Sequence, residues 1–294
     1  MLDFFVLGAP KAGTTTLAAL LSSSPQVYTG LLKEPQFFDL HYHQGLDYLQ
    51  RQFSGRPSDS VCGDCSPQYL HCPWVPGRIK KHFPRARLLV LVRDPVGRFY
   101  SNWWMKHANG TEKRSFEECV DFCLSQHQKF GASTPLALAD GEELWRRYFL
   151  SPDTREVNYL PYFEIGLYAR HLESFFLHFP REQLKVLSFR TLVSEPEETY
   201  RECCDFLGLP SLPLENESSE NQALGPLAVK VRRVAELTGL NKLVPQSLQD
   251  RIRAGLRRVG DEPPSVPVKQ AERLRAAYDD ASREFERLMV FLPE

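Results

Sequence analysis

The chain has 294 residues, 42% of them hydrophobic and 12% aromatic, which suits one large α/β domain or two small ones with a sizeable core. Lysine and arginine number 36 against 37 aspartates and glutamates, so no global basic field points to nucleic acid, and any anion site must be local. Seven scattered cysteines do not form the pattern of a disulfide framework, and no apolar run approaches the roughly 20 residues that span a bilayer.

Asp3 to Leu7 (DFFVL) is short, apolar and aromatic, which predicts a buried strand. Gly8 to Gly13 breaks it, and Thr14 to Leu21 (TTTLAALL) follows as a helix. Arg87 to Val92 (RLLVLV) predicts a second buried strand, then Arg93-Asp94-Pro95 and a helical stretch through Trp104. After the amphipathic segment Tyr168 to Phe179, Gln183 to Ser188 (QLKVLS) predicts a third. Three such units predict an α/β fold with a parallel sheet covered by helices on both faces. Beyond Gly208 the texture changes. Leu214 to Gln222 is polar and reads as a loop, Val229 to Val259 as a basic helical stretch, Asp261 to Pro267 as a stiff connector, and Gln270 to Met289 as a charged closing helix. The expected organisation is one domain over residues 1–294, with an α/β core at 3–210 and a helical C-terminal extension at 211–294.

The loop Gly8-Ala9-Pro10-Lys11-Ala12-Gly13-Thr14-Thr15 stands between the first strand and its helix. Backbone amides of such a loop, with the positive end of the next helix, make an anion site. A nucleotide kinase would carry lysine immediately before the Ser/Thr, whereas Lys11 stands three residues earlier, so the magnesium-binding part of that pattern is not reproduced. Read alone, the loop is equally a glycine turn that holds a lysine.

A second anion site is indicated by Arg93, at the carboxyl end of a strand, where ligands bind in open parallel sheets. Ser101, eight residues on, lies about two turns along the helix that Pro95 opens. A guanidinium and a hydroxyl there suit a terminal phosphate dianion. Taken by itself, Arg93 reads rather as a strand-end arginine paired with Asp94 or a neighbour; two anion sites on neighbouring strands weigh against that. Cys62, Cys65, His71 and Cys72 have the chemistry of zinc ligands, but the last two are adjacent, which bends awkwardly around a tetrahedral ion, and no metal is expected. Cys119, Cys123, Cys203 and Cys204 read as helix packing, and Trp103 and Trp104 as core or as the lining of a cleft.

In combination and order, Lys11-Ala12-Gly13-Thr14-Thr15, Lys33-Glu34-Pro35-Gln36-Phe37-Phe38, and Arg93-Asp94-Pro95 with Arg98 and Ser101 resemble the sulfotransferases that use 3′-phosphoadenosine 5′-phosphosulfate (PAPS). More narrowly, they resemble the glycosaminoglycan branch and its bacterial relatives. Tyr42 to Tyr48, Ser66-Pro67-Gln68-Tyr69-Leu70 and Leu187 to Leu209 agree with that branch, so the similarity spans roughly residues 3 to 210. The resemblance implies a P-loop-type sheet and sulfuryl transfer from PAPS to a hydroxyl or amine of a glycan or small-molecule acceptor. It implies that Lys11, Ala12, Gly13, Thr14 and Thr15 hold the 5′-phosphosulfate, with Lys11 at the bridging oxygen. It assigns the 3′-phosphate to Arg93 and Ser101 and the role of general base to Glu34.

Two departures stand out. Heparan-branch relatives often have Glu-Lys before the S/T-P-x-Y motif, and that lysine approaches the sulfate. Here Asp64-Cys65 stands there, so the second cation is missing or comes from elsewhere. The usual C-terminal nucleotide loop is also absent, with Lys230, Arg232 and Arg233 as substitutes. Without the resemblance, Glu34 is a charged residue before a proline, and His41, His43 and His107 compete as base. Rival readings are a P-loop kinase-like phosphotransferase and a degenerate nucleotide-binding module. The acceptor itself is not legible: the arginines of 251–258 could line a cleft for a polyanion, but read rather as the wet face of a helix. Met1 to Leu7 is too short for a signal peptide, so the expected location is the cytoplasm, or the Golgi lumen if the chain is the catalytic part of a longer one.

Overall fold

The computed structural model describes residues 2–131, 134–210 and 265–290. Its centre is a five-stranded sheet in the order β2-β3-β1-β4-β5, with every neighbouring pair parallel. The strands are β1 (Phe4–Gly8), β2 (Val27–Tyr28), β3 (Val61–Asp64), β4 (Arg87–Val92) and β5 (Leu184–Ser188). Every residue of β1 is buried, as a central strand covered on both faces requires. The register sets Phe4 beside Gly63, Phe5 beside Leu88 and Leu89 beside Lys185.

β1, β4 and β5 match the three apolar runs in the sequence. β2 and β3 had no such signal, because β2 is two residues long and β3 reads Val-Cys-Gly-Asp. Gly63 is needed there for steric reasons. A Cβ at this position would lie 2.0 Å from the Phe4 ring, which crosses directly over it.

Helices cover both faces. They are α1 (Thr14–Ser22), α2 (Leu46–Gln52), α3 (Val75–His82), α4 (Pro95–Ala108), α5 (Phe116–Phe130), α6 (Gly141–Leu150), α7 (Tyr168–Phe176), α8 (Phe189–Ser194), α9 (Pro196–Leu207) and α10 (Val268–Val290). Local chemistry explains several boundaries. α4 begins at Pro95, with the Asp94 carboxylate accepting from the Gly97 N–H at 2.7 Å. α5 begins with a reciprocal capping box between Ser115 and Glu118. α9 stops at Gly208, whose φ of 68° is the left-handed cap geometry. No described helix is long and apolar enough to cross a membrane.

α10 closes the described fold against α4, α5 and α7. Tyr278 stacks on Phe163 with centroids 4.2 Å apart, and its hydroxyl donates to the Phe163 carbonyl at 2.7 Å. Arg273 pairs with Asp121 at 2.7 Å on the rim. Beneath this contact Glu164 is buried and accepts from the Tyr159 hydroxyl at 2.5 Å. Burial pushes the Glu164 pKa up from 4.5 to about 7, although the Tyr159 bond and Arg170 work the other way.

A carboxyl group with a raised folded-state pKa binds its proton more tightly in the native state than in the unfolded chain. Its stabilising contribution is therefore complete below about pH 4.5 and is lost as pH rises through about 7. Glu164→Gln removes this titration and keeps an acceptor for Tyr159. The loss of unfolding free energy between about pH 5 and pH 8, measured by urea titration, is expected to shrink by on the order of 2–3 kcal/mol in the variant. Identical pH slopes in the two proteins would mean that Glu164 titrates normally.

Candidate active site at the carboxyl edge of the sheet

All five strands deliver a chemically loaded segment at their carboxyl ends, the edge where open α/β sheets bind ligands. β1 leads into the loop 9–13, β2 into the segment with Glu34, β3 into Ser66 to Tyr69, β4 into Arg93 and β5 into Phe189.

The loop after β1 is tightly wound. The Ala9 N–H donates to the Leu91 carbonyl at 2.7 Å, which fixes the loop to β4. Lys11 has φ 69° and Gly13 φ 91°, both left-handed. Glycine is required at 13 on two counts. Its φ is unfavourable for other residues, and a Cβ would stand 2.9 Å from both Phe189 and Leu192 of α8. α1 then starts with no side-chain cap and no acidic residue in its first turn. Its first amides lack intrahelical partners. An uncapped helix start after a glycine turn is ready to receive an anion.

Lys11 is half-buried at this loop, and its Nζ lies 3.5 Å from Met105 Sδ of α4. Burial, followed by the neighbouring Arg93, lowers the Lys11 pKa, while the charge of Glu34 raises it. Arg93 donates from Nη1 to the Lys11 carbonyl at 3.1 Å, and its guanidinium lies over the Phe189 ring at 4.5 Å. The Tyr168 hydroxyl holds the Arg93 carbonyl at 2.9 Å. Arg93, Gly97, Tyr168, Ser188, Phe189 and Phe285 are among the walls of a groove of about 530 Å³. Ser101 sits further along α4 and is partly exposed, whereas Arg98 is fully buried and donates to the Tyr162 carbonyl.

Glu34 joins the same edge. Its carboxylate pairs with Lys33 Nζ at 2.6 Å, and the same Nζ donates to Thr15 Oγ1 of α1 at 2.9 Å. The segment that follows Glu34 is pinned through its backbone. The Gln36 N–H donates to Ser66 Oγ at 3.1 Å, and the Phe37 and Phe38 N–H groups to Tyr69 Oη at 2.9 and 3.3 Å. Both hydroxyls in turn donate to Asp64, Ser66 at 2.6 Å and Tyr69 at 2.8 Å. Asp64 is fully buried, and desolvation pushes its pKa up from 3.8 to about 7 against the two hydroxyl bonds. Phe38 adds apolar anchoring, with T-shaped contacts to Phe5 at 5.8 Å and Tyr69 at 5.6 Å.

The structure thus brings together Lys11, Ala12, Gly13, Thr14, Thr15, Glu34 and Arg93, with Ser101 on the helix that begins beside Arg93. Lys230, Arg232 and Arg233 lie outside the described residues. The competing histidines have other partners. His107 stacks on Trp103 at 4.7 Å and bonds the Glu112 carbonyl, and His43 lies 3.4 Å from Arg146. Trp103 is buried and donates to the Arg114 carbonyl at 3.1 Å, so it belongs to the core, while Trp104 is half-buried. All seven cysteines are free and buried, and among the described residues no group of His, Cys, Asp and Glu is arranged to hold a metal ion.

In the sequence Lys33, Ser66 and Tyr69 stand only as parts of motifs, with no task attached, and Phe189 is not singled out. A phenylalanine immediately after a strand end, across from a glycine loop, was the available signal. Asp64 gave none, since nothing local distinguishes a buried carboxyl from a solvated one.

The chain matches the sulfotransferase domain family model over residues 2–286. It is 29% identical over 220 residues to heparan sulfate glucosamine 3-O-sulfotransferase 3B1 of Mus musculus, covering 75% of this chain and 49% of the relative. It is likewise 29% identical over 226 residues to the human bifunctional heparan sulfate N-deacetylase/N-sulfotransferase 3, covering 73% of this chain and 23% of that protein. The chain thus spans about half the length of the first relative and about a quarter of the second. A sulfotransferase crystal structure from Alicyclobacillus acidocaldarius superposes with a TM-score of 0.59 at 26% identity, covering 76% of this chain and 87% of that one.

Proposed function

The chain belongs to the sulfotransferase domain family, and on that premise we propose that it transfers the sulfuryl group of PAPS to a hydroxyl or amine of a glycan or small-molecule acceptor. One observation carries the reading. Lys33 ties Thr15 of the anion loop to Glu34, and Arg93 ties itself to Lys11 of the same loop. A site for an anionic leaving group, a carboxylate and a second guanidinium thereby share one edge.

In this reading Lys11 and the backbone of Ala12 to Thr15 hold the 5′-phosphosulfate, and Arg93 and Ser101 hold the 3′-phosphate. Lys230 and Arg232 belong to the proposal as further nucleotide contacts from outside the described residues. As sulfur leaves the bridging oxygen, charge grows on the 5′-phosphate. A preorganised ammonium and amides meet that charge without reorganisation. Glu34 takes the acceptor's proton. Glycan acceptors are favoured by the heparan sulfate relatives, which act on sugars. Lys11 supplies the charge that a magnesium ion supplies in nucleotide kinases, so the reaction is proposed to proceed without metal.

The nucleotide half is tested by two ligands that differ only in the 3′-phosphate. Arg93→Ala removes a charge-assisted partner, a change that costs about 1.5–3 kcal/mol, or roughly 10- to 150-fold in affinity. Calorimetry is expected to show that loss for 3′-phosphoadenosine 5′-phosphate (PAP), with a much smaller loss for AMP. Equal losses for both would make Arg93 a strut for the Lys11 carbonyl.

A further inference from the structure

Sulfuryl transfer develops charge in two places, on the leaving 5′-phosphate and on the three terminal oxygens of the moving group. Lys11 is placed for the first. Cys65 contributes nothing to the second, because it is a fully buried thiol whose pKa burial drives upward. Lys33 is the ammonium at the right place. Its Nζ touches Thr15 Oγ1, eighteen residues away in the anion loop's helix, at 2.9 Å, and the Glu34 carboxylate at 2.6 Å. The side chains of Lys33 and Glu34 keep 31% and 33% of their surface exposed, so the pair borders open space beside the anion loop.

A pair this exposed adds little to stability, so fold maintenance gives a weak account of it. An ammonium has three donors, and two are used here. We infer that Lys33 is a catalytic residue, which binds a terminal sulfuryl oxygen of the donor and, in doing so, gives up Glu34. The inference rests on the PAPS reading. The bond from sulfur to the bridging oxygen breaks and the 5′-phosphate keeps its electron pair. The bond from sulfur to the acceptor oxygen or nitrogen forms, and the acceptor proton passes to the released Glu34 carboxylate. Lys33 thus couples donor binding to the freeing of the base, so that the carboxylate is bare only when there is a sulfuryl group to transfer.

Two variants and two ligands test this. PAP lacks the sulfuryl group, so Lys33→Met is expected to weaken PAPS binding without acceptor by about 10-fold or more, and PAP binding by less than about 2-fold. Turnover at saturating donor is expected to fall by about 10²-fold. Lys33→Arg keeps the charge and is expected to recover most of both. Equal weakening of PAPS and PAP in Lys33→Met would make Lys33 a tether of the loop and overturn the inference, as would unchanged turnover. A wild-type protein that binds neither ligand would instead sink the PAPS reading itself, and the two failures are told apart by that control.

Discussion

Replacing Glu34 by glutamine is expected to lower sulfuryl transfer by at least about 10²-fold while PAP affinity stays within about 2-fold. The substitution is a clean one. The backbone around Glu34 is held by bonds that do not involve its carboxylate, from Gln36 to Ser66 and from Phe37 and Phe38 to Tyr69, and by the Tyr48 hydroxyl on the Pro35 carbonyl at 2.9 Å. Glutamine keeps the volume and an oxygen for Lys33, and loses the negative charge together with the capacity to take a proton. Near-normal transfer in Glu34→Gln would remove Glu34 from the chemistry. Loss of PAP binding together with transfer would show instead that the Lys33 pair holds the anion loop in shape.

Lys11→Ala is expected to cost about 10²- to 10³-fold in kcat, with a smaller change in the Michaelis constant for PAPS. The reason lies in when the charge appears. The bridging oxygen is most negative in the transition state, so an ammonium aimed at it stabilises that state more than the bound donor. The loop should survive the substitution, because Arg93 bonds the Lys11 carbonyl rather than its side chain. Steady-state kinetics with PAPS varied at fixed acceptor decide the matter. An unchanged kcat with a raised Michaelis constant would assign Lys11 to ground-state binding.

The two substitutions act on groups whose prominence in the sequence was unequal. Lys11 stood out because a strand, a glycine turn and a helix start surround it, and each of those is a local pattern. Arg93 stood out for the same reason at the end of β4. Glu34 did not, since before a proline it resembles any solvated loop acid, and only the family likeness drew attention to it. Its position depends on contacts that are remote in sequence, from Ser66, Tyr69 and Asp64 some thirty residues away. Such hydroxyl-to-backbone bonds leave no periodicity behind.

The sheet divides along the same line. β4 announces itself because a strand covered on both faces is almost uniformly apolar, and β5 through its run Leu184, Val186 and Leu187, whereas the four residues of β3 include the buried Asp64 and the sterically required Gly63 and leave no apolar run. Cys65 shows the opposite case. A cysteine near another cysteine and a histidine looks chemically active in the sequence, yet in the fold it is a buried apolar side chain. Lys33 had no mark beyond its charge, and its contact with Thr15 becomes visible only when α1 and the segment after β2 are set side by side.

The most direct test of PAPS-dependent transfer is a single incubation of the protein with PAPS and a panel of glycan, phenol and amine acceptors in the presence of EDTA, read by mass spectrometry. The expected result is an acceptor that gains one sulfuryl group with stoichiometric release of PAP, undiminished by the chelator and abolished by Glu34→Gln. Transfer that appears only when magnesium is restored, or that moves a phosphoryl group from ATP instead, would contradict it.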